Sequence, residues 1–382
     1  MLTYKRKLIL TKEQEQQINS WIGACRVVYN MGLEIRITTY KNLKKSVSKF
    51  ELMRQLTDIK DIEWIKDVPA QSLQNAIERL DISYKNFYKT CHSGGGFPKF
   101  ANKKKYKSIL FKEVSLIGNN FIRLPKIGNI KIFKDALIQG TPKIAIIKKE
   151  PTGYFICIVC DNINKNIQNP DESQVIGLDM GVKHFCIDSD ENFYTNPRIF
   201  QQYERKLRIE NRSLARKKKG SNSWKRQCRR LALLHHKISN VRKDYLHKLS
   251  TDFAKNYNTV FTEDLKIVNM SKRAKLKQDE NGKFLPNHQA QKSGLNKAIL
   301  DCGWGLFRDM LEYKTNVIRV NPKYTSQTCN ECGYKDSENR ISQSKFECKC
   351  CGYTSNADFN AAKNILGEGI ALKRQREALV CA

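Results

Sequence analysis

No apolar run in this chain approaches the roughly 20 residues that a membrane-spanning helix needs, so no membrane span is expected. The opening segment Met1–Leu10 carries too few apolar residues after its basic cluster to form the hydrophobic region of a secretory signal, and the chain is expected to stay in the cytosol. Acidic residues are scarce: 38 Asp plus Glu stand against 69 Lys plus Arg, a formal net charge of +31. That excess calls for a polyanionic partner, nucleic acid ahead of an acidic membrane surface. Internal repeats and a long low-complexity tail are also missing, and 40% hydrophobic content over 382 residues suits two or three folded domains. A disulfide framework is lacking too. Thirteen cysteines is an odd number, and eight of them (Cys25, Cys91, Cys157, Cys160, Cys186, Cys228, Cys302, Cys381) are scattered. The other five crowd into residues 329–351, which in a reducing compartment reads as a metal site.

Periodicity organises the rest. Thr11 and Gln14 make a capping-box start before Ile18, Trp21, Ile22, Cys25, Val28 and Tyr29 at helical spacing. A second stripe, Leu73, Ile77, Leu80, Tyr84 and Phe87, follows Pro69, so residues 11–90 predict a small helical bundle. The stretch from His92 to Lys107 is rich in glycine, lysine and aromatic rings, a loop suited either to contacting nucleic acid or to linking domains. Short β-prone runs occupy 108–160, with Ile144–Ile147 and Tyr154–Val159 flanking Pro151-Thr-Gly153 as a hairpin. Met1–Leu10 alternates apolar and charged residues and is expected to return to that sheet, making the bundle an insertion. Cys157 and Cys160 fall within one strand, where residues three apart face opposite ways, so they predict no metal pair.

A polar stretch, Asn162–Ser173, places a domain boundary near 170. Beyond it, Val175–Leu178 and Val260–Thr262 read as buried strands, Leu231 to Phe253 as a long helix with one buried and one basic face, 264–292 as a basic loop, Leu295–Tyr313 as a helix and Val317–Val320 as a strand. Alternating strands and helices predict an α/β unit. Positions 201–250 hold 16 Lys plus Arg and 3 acids, a difference of +13.

Two constellations carry chemistry. Cys329-x2-Cys332 and Cys348-x2-Cys351 lie fifteen residues apart, each pair followed by a glycine, Gly333 and Gly352. This is zinc-ribbon spacing: each knuckle directs two thiolates at a tetrahedral ion, and four thiolates leave no open position, so the zinc is structural. Cys350 is out of phase and reads as a bystander. The second constellation is acidic. Asp179 and Glu263 end apolar strands and Asp358 opens a helix. Convergent carboxylates of this kind hold two Mg²⁺ ions in phosphodiester hydrolases. Singly, each has a plainer explanation: a turn former, a charged strand end, a helix N-cap.

The order of Gly177-Leu-Asp-Met-Gly-Val-Lys183, Glu263-Asp-Leu265, Trp304–Lys314, Thr325-Ser-Gln-Thr-Cys-Asn-Glu-Cys-Gly333 and Asp358-Phe-Asn-Ala-Ala-Lys-Asn364 resembles that of TnpB, an insertion-sequence-encoded relative of the type V CRISPR nucleases. Cys25–Asn30 and Gly96–Phe100 resemble its N-terminal half. The resemblance implies a multidomain α/β protein, with an RNase H-like RuvC nuclease domain (172–324 and 353–375) that carries an inserted zinc ribbon (325–352). It further implies a β-barrel-like wedge domain (1–10 and 108–168), a helical recognition insertion (11–107) and a C-terminal tail (376–382). It implies an RNA-guided DNA endonuclease with catalytic Asp179, Glu263 and Asp358 binding two Mg²⁺, and Cys329, Cys332, Cys348 and Cys351 binding one Zn²⁺. The partners implied are a guide RNA from the transposon end and double-stranded DNA bearing a short target-adjacent motif, bound by a monomer with one RNA. One departure is visible: family members often have an acid two positions before the third catalytic Asp, where this chain has Asn356. The alternatives are a guide-dependent DNA-binding protein that does not cut and a zinc-ribbon DNA-binding factor that uses no RNA.

Overall fold

The computed structural model describes residues 2–59, 61–135, 137–161 and 170–381. It divides into two compact units, Met1–Asn166 and Ile167–Ala382. Among the described residues, no helix is long and apolar enough to cross a membrane.

In the first unit β1 (Leu2–Ile9) leads into helices α1 (Lys12–Leu43), α2 (Lys49–Gln55), α3 (Glu63–Lys66) and α4 (Ala70–Thr90). The Thr11 hydroxyl accepts from the Gln14 N–H while the Gln14 side chain accepts from the Thr11 N–H, the reciprocal cap written in the sequence. Ser48 and Glu51 repeat it at α2, an element the sequence reading did not separate. Strands β2 (Ser108–Phe111), β3 (Ser115–Ile117), β4 (Phe121–Leu124), β5 (Gly128–Ile132), β6 (Thr141–Glu150) and β7 (Gly153–Asp161) complete the unit. They form one antiparallel sheet ordered β2-β6-β7-β1-β5-β4-β3. The first strand is thus central, Leu2–Lys7 pairing with Phe155–Cys160, although the helices intervene in sequence. Among the described residues β2 and β3 are edges and do not pair to close a barrel. Bundle and sheet share a core: the Trp21 and Phe111 rings lie 6.2 Å apart, and Ser72 Oγ donates to the Leu110 carbonyl at 2.7 Å. Cys160 is buried in that core while Cys157 points to the opposite, partly exposed face.

The second unit opens with β8 (Val175–Met180), β9 (His184–Asp188) and β10 (Phe193–Thr195), followed by α5 (Ile199–Ala215) and α6 (Asn222–Asn256). Then come β11 (Thr259–Glu263), α7 (Ile267–Met270), α8 (Gln289–Cys302), α9 (Trp304–Glu312) and β12 (Asn316–Val320). A hairpin of β13 (Lys345–Glu347) and β14 (Thr354–Asn356) precedes the last helix, α10 (Ala357–Cys381). The sheet order β10-β9-β8-β11-β12 has β11 parallel to both neighbours and antiparallel pairing from β8 through β10.

Period-2 alternation splits the side chains of the central strands between two cores. Ile176, Leu178 and Val260 join Leu246 and Phe253 of α6 and Phe307 of α9. Val175 and Phe261 face Ile365 and Leu366 of α10. Gly177 lies on the α10 side, where a Cβ would stand 2.4 Å from the Ala362 carbonyl oxygen. Only glycine permits that approach.

Four expectations need correcting. The helix expected over 295–313 is two, because Gly303 takes a left-handed φ of 77° and breaks it after Cys302. Val241, placed on the buried stripe of α6, is 37% exposed. The steps from Leu231 to Val241 average about 3.3 residues, short of the 3.6 of a helical turn, so Val241 falls at the margin of the buried face. The ribbon hairpin also runs past 352, since Lys345 pairs with Asn356, and the residues set apart as a tail from 376 continue α10 to Cys381.

Candidate active site and metal centre

Asp179 and Glu263 reach one place through strand register. β8 and β11 run parallel, with Thr259 beside Val175 and Phe261 beside Gly177. Continued by two residues, that register sets Glu263 next to Asp179, on strands about 4.8 Å apart. Both residues share the parity of Gly177 and Phe261 and so project to the α10 side of the sheet. Asp358 lies in the first turn of α10.

The electrostatics join the three. Burial, then the charges of Glu263 and Asp358, push the Asp179 carboxyl from its ordinary 3.8 up to about 8, against the opposing pull of Arg340. Burial also raises the Glu263 carboxyl, opposed by a hydrogen bond from Thr325, with Glu368 adding a like charge. An acid raised by burial and by two neighbouring carboxylates marks a site short of positive charge, and the hard oxygen donors suit a divalent cation.

Arg340 supplies part of that charge. Its guanidinium lies 3.0 Å from Asp358 Oδ1 and also donates to the Gln343 carbonyl. Sequence reasoning missed it, because one arginine among 69 basic residues carries no local pattern. Asn356, the departure noted above, is the helix cap: its Oδ1 accepts from the Asp358 N–H at 2.9 Å and the Phe359 N–H at 3.4 Å. The capping role considered for Asp358 therefore belongs to its neighbour, and the Asp358 carboxylate pairs with Arg340 instead.

The four cysteines come together as their spacing requires. Gly333 N–H donates to the Cys329 carbonyl at 3.0 Å and Gly352 N–H to the Cys348 carbonyl at 3.1 Å, with both glycines at φ 73°. Sγ atoms lie 3.7 Å apart for Cys329 and Cys351 and 3.6 Å for Cys332 and Cys348. A tetrahedral ion with bonds of about 2.3 Å needs sulfur separations of about 3.8 Å, so the set fits a metal. The Cys351 and Cys350 N–H groups lower the Cys348 thiol to about 7. Cys350 is not one of the clustered thiols; its N–H points at Cys348 Sγ, 3.4 Å away. Among the described residues, these four cysteines are the one group of three or more metal-ligating side chains whose donor atoms all lie within 4.8 Å.

The second unit also carries a basic surface. Helices α5 and α6 pack as a hairpin around Ile199, Leu207, Leu234 and Ile238. Their exposed faces carry Arg205, Arg208, Arg212, Lys225, Arg229 and Arg230 among others.

Comparison with known proteins places this architecture. The family model OrfB_IS605, "Probable transposase", matches residues 157–274, and "Cas12f1-like, TNB domain" matches 304–365. A "Helix-turn-helix domain" model matches 1–45, a span that here is β1 followed by the single helix α1. A chain from "Cryo-EM structure of the Cas12f1-sgRNA-target DNA complex" superposes with TM-score 0.52 at 14% identity, covering 94% of this chain and 83% of that one. "Structure of the mini-RNA-guided endonuclease CRISPR-Cas_phi3" gives 0.50 at 10%, covering 97% and 92%. The chain therefore shares its fold with those two proteins. In sequence, the chain is 36% identical over 370 residues to "Putative RNA-guided DNA endonuclease InsQ" of Escherichia coli (strain K12), covering 94% of this chain and 90% of that protein. It is 29% identical over 256 residues to "CRISPR-associated endodeoxyribonuclease Cas12f1" of Sulfoacidibacillus thermotolerans, covering 62% and 56%. The chain belongs to the TnpB family of transposon-encoded proteins.

Proposed function

We propose that this protein is an RNA-guided DNA endonuclease that hydrolyses phosphodiester bonds at Asp179, Glu263 and Asp358. The observation that carries the reading is the β8–β11 register that brings Asp179 beside Glu263 at the ends of two parallel strands, where burial first and then the charges of Glu263 and Asp358 lift the Asp179 carboxyl to about 8. A rigid framework that forces like charges together is costly unless a cation completes it.

In this reading Asp179, Glu263 and Asp358 would hold two Mg²⁺ ions, which would supply an activated water and stabilise the leaving oxygen. Without a cation, burial and the neighbouring acids favour the protonated form of Asp179, and a bound Mg²⁺ would favour its carboxylate. Glu263, tied by Thr325, presents a fixed carboxylate. Arg340 stands beside Asp358, where its guanidinium balances charge and can meet a substrate phosphate. The four cysteines hold one zinc as a structural centre. Exposed cations of α5 and α6 grip nucleic-acid phosphates, while base pairing to a guide RNA from the transposon end supplies sequence choice.

The test is plasmid cleavage by protein reconstituted with that RNA and Mg²⁺. Supercoiled plasmid carrying the target and its adjacent motif should be lost with wild type and retained with Asp179→Ala. Cutting that survives Asp179→Ala removes the triad from the mechanism. Binding without cutting by the wild type favours the non-cleaving alternative.

A further inference from the structure

Thr325 lies between the two centres. It is 4% exposed, at the start of the segment that carries the cysteines. Its Oγ1 is 2.5 Å from Glu263 Oε1 and 3.3 Å from the Pro322 carbonyl, so its single proton goes to the carboxylate. A short O–H···O⁻ bond of this kind is among the stronger hydrogen bonds in proteins.

The backbone of Thr325 is fixed as firmly. Asn364 of α10 donates through Nδ2 to the Thr325 carbonyl at 2.8 Å and to the Thr328 carbonyl at 2.7 Å. One turn earlier Asn360, fully buried, donates to the same Thr328 carbonyl at 2.8 Å and accepts from the Asn330 N–H, next to Cys329, at 3.1 Å. The helix that opens with Asp358 therefore clamps the loop that holds Glu263. Tying one oxygen of Glu263 fixes the plane in which the other is offered, and the clamp sets that plane relative to Asp358.

We propose that Thr325 is the positioning residue of the hydrolytic centre: its hydroxyl orients Glu263 for metal binding, and Asn360 and Asn364 hold it in place. The proposal rests on the reading of Glu263 as a metal ligand. Outer-shell partners of metal ligands are worth roughly 10–100-fold in metal affinity or activity. Thr325→Val keeps the shape and removes the hydroxyl, whereas Thr325→Ser keeps the hydroxyl.

The experiment titrates Mn²⁺ into the full-length zinc-loaded protein, reads free Mn²⁺ by electron paramagnetic resonance, and measures plasmid cleavage against Mg²⁺ concentration in parallel. Thr325→Val should weaken Mn²⁺ binding about 10–100-fold and move half-maximal cleavage to correspondingly higher Mg²⁺. Thr325→Ser should stay within a few-fold of wild type, and both variants should retain zinc. Wild-type Mn²⁺ affinity in Thr325→Val overturns the proposal, as does equal weakening in Val and Ser, which marks a packing role. Glu263→Gln separates the two claims: if it binds Mn²⁺ as wild type does, the site reading itself falls. Should Thr325→Val lose zinc, Thr325→Ser against Thr325→Ala, which differ by the hydroxyl, decides on the same criterion.

Discussion

The thiolates and the carboxylates solve opposite problems. The four sulfurs come from one short segment, sit within 4.8 Å of one another and are oriented by their own backbone turns. The three acids come from β8, β11 and α10, are brought together by a sheet and a helix, and are restrained by groups borrowed from the cysteine-bearing segment, Thr325 and Arg340. The first arrangement suits an ion that stays, because every ligand is local and the coordination closes. The second suits ions that must leave room for substrate, since no ligand can follow the metal without moving an entire element. The compact centre also braces the open one.

Removing a thiolate should have the largest effect. Cys332→Ser is expected to abolish stoichiometric zinc and collapse the ribbon, since apparent zinc binding energies of about 10–16 kcal/mol act as folding energy in small sites. Elemental analysis and thermal melting of the variant read this directly. Zinc content equal to wild type would end the distinction between the two centres.

Asp179→Asn sharpens the contrast from the other side. Cleavage should fall by more than the roughly 100-fold upper range for losing an outer-shell partner. Stability of the metal-free protein should move the other way. Asp179 binds its proton more tightly folded, at about 8, than at its ordinary 3.8, so the native state holds more protons across that window and wild-type stability falls as pH rises through it. Asp179→Asn lacks this slope. Its melting temperature should exceed wild type by a margin that grows from pH 5 to pH 8 in chelator. A margin independent of pH would show that no strained carboxylate sits there.

Smaller effects test the scaffold. Gly177→Ala forces a methyl to within 2.4 Å of the Ala362 carbonyl, and overpacking of this sort costs about 1–3 kcal/mol in chemical denaturation. Asn356→Ala removes the α10 cap, worth about 1 kcal/mol, and Asn356→Asp should restore it. If Asp358 were the true cap, Asn356→Ala would leave stability unchanged.

Legibility in the sequence followed the same division. The cysteine knuckles were readable because their constraint is local: two residues between thiols and a glycine after them. The Thr11 and Gln14 cap and the buried stripes of α1 and α4 were readable for the same reason. Asp179, Glu263 and Asp358 could be proposed from their places at strand and helix ends and from the family resemblance. Their meeting depends on the β8–β11 register, a parallel pairing between residues far apart in the chain that no window of sequence contains. Arg340 and Thr325 were unreadable because their roles exist only after the ribbon has folded against α10. The break at Gly303 was legible in principle, yet the apolar spacing runs through it and hides it.

Gly177 stands two residues before Asp179 and looks like part of a catalytic signature, yet its work is that of a machinist's gauge. With no side chain between strand and helix, the separation of β8 from α10 is the thickness of two backbones in contact, the least variable spacing a protein can build. A methyl at that point acts as a shim. It would part the plates near the end where Asp179 and Asp358 must face a common target, and the tolerance of the whole centre is set by an atom the chain leaves out.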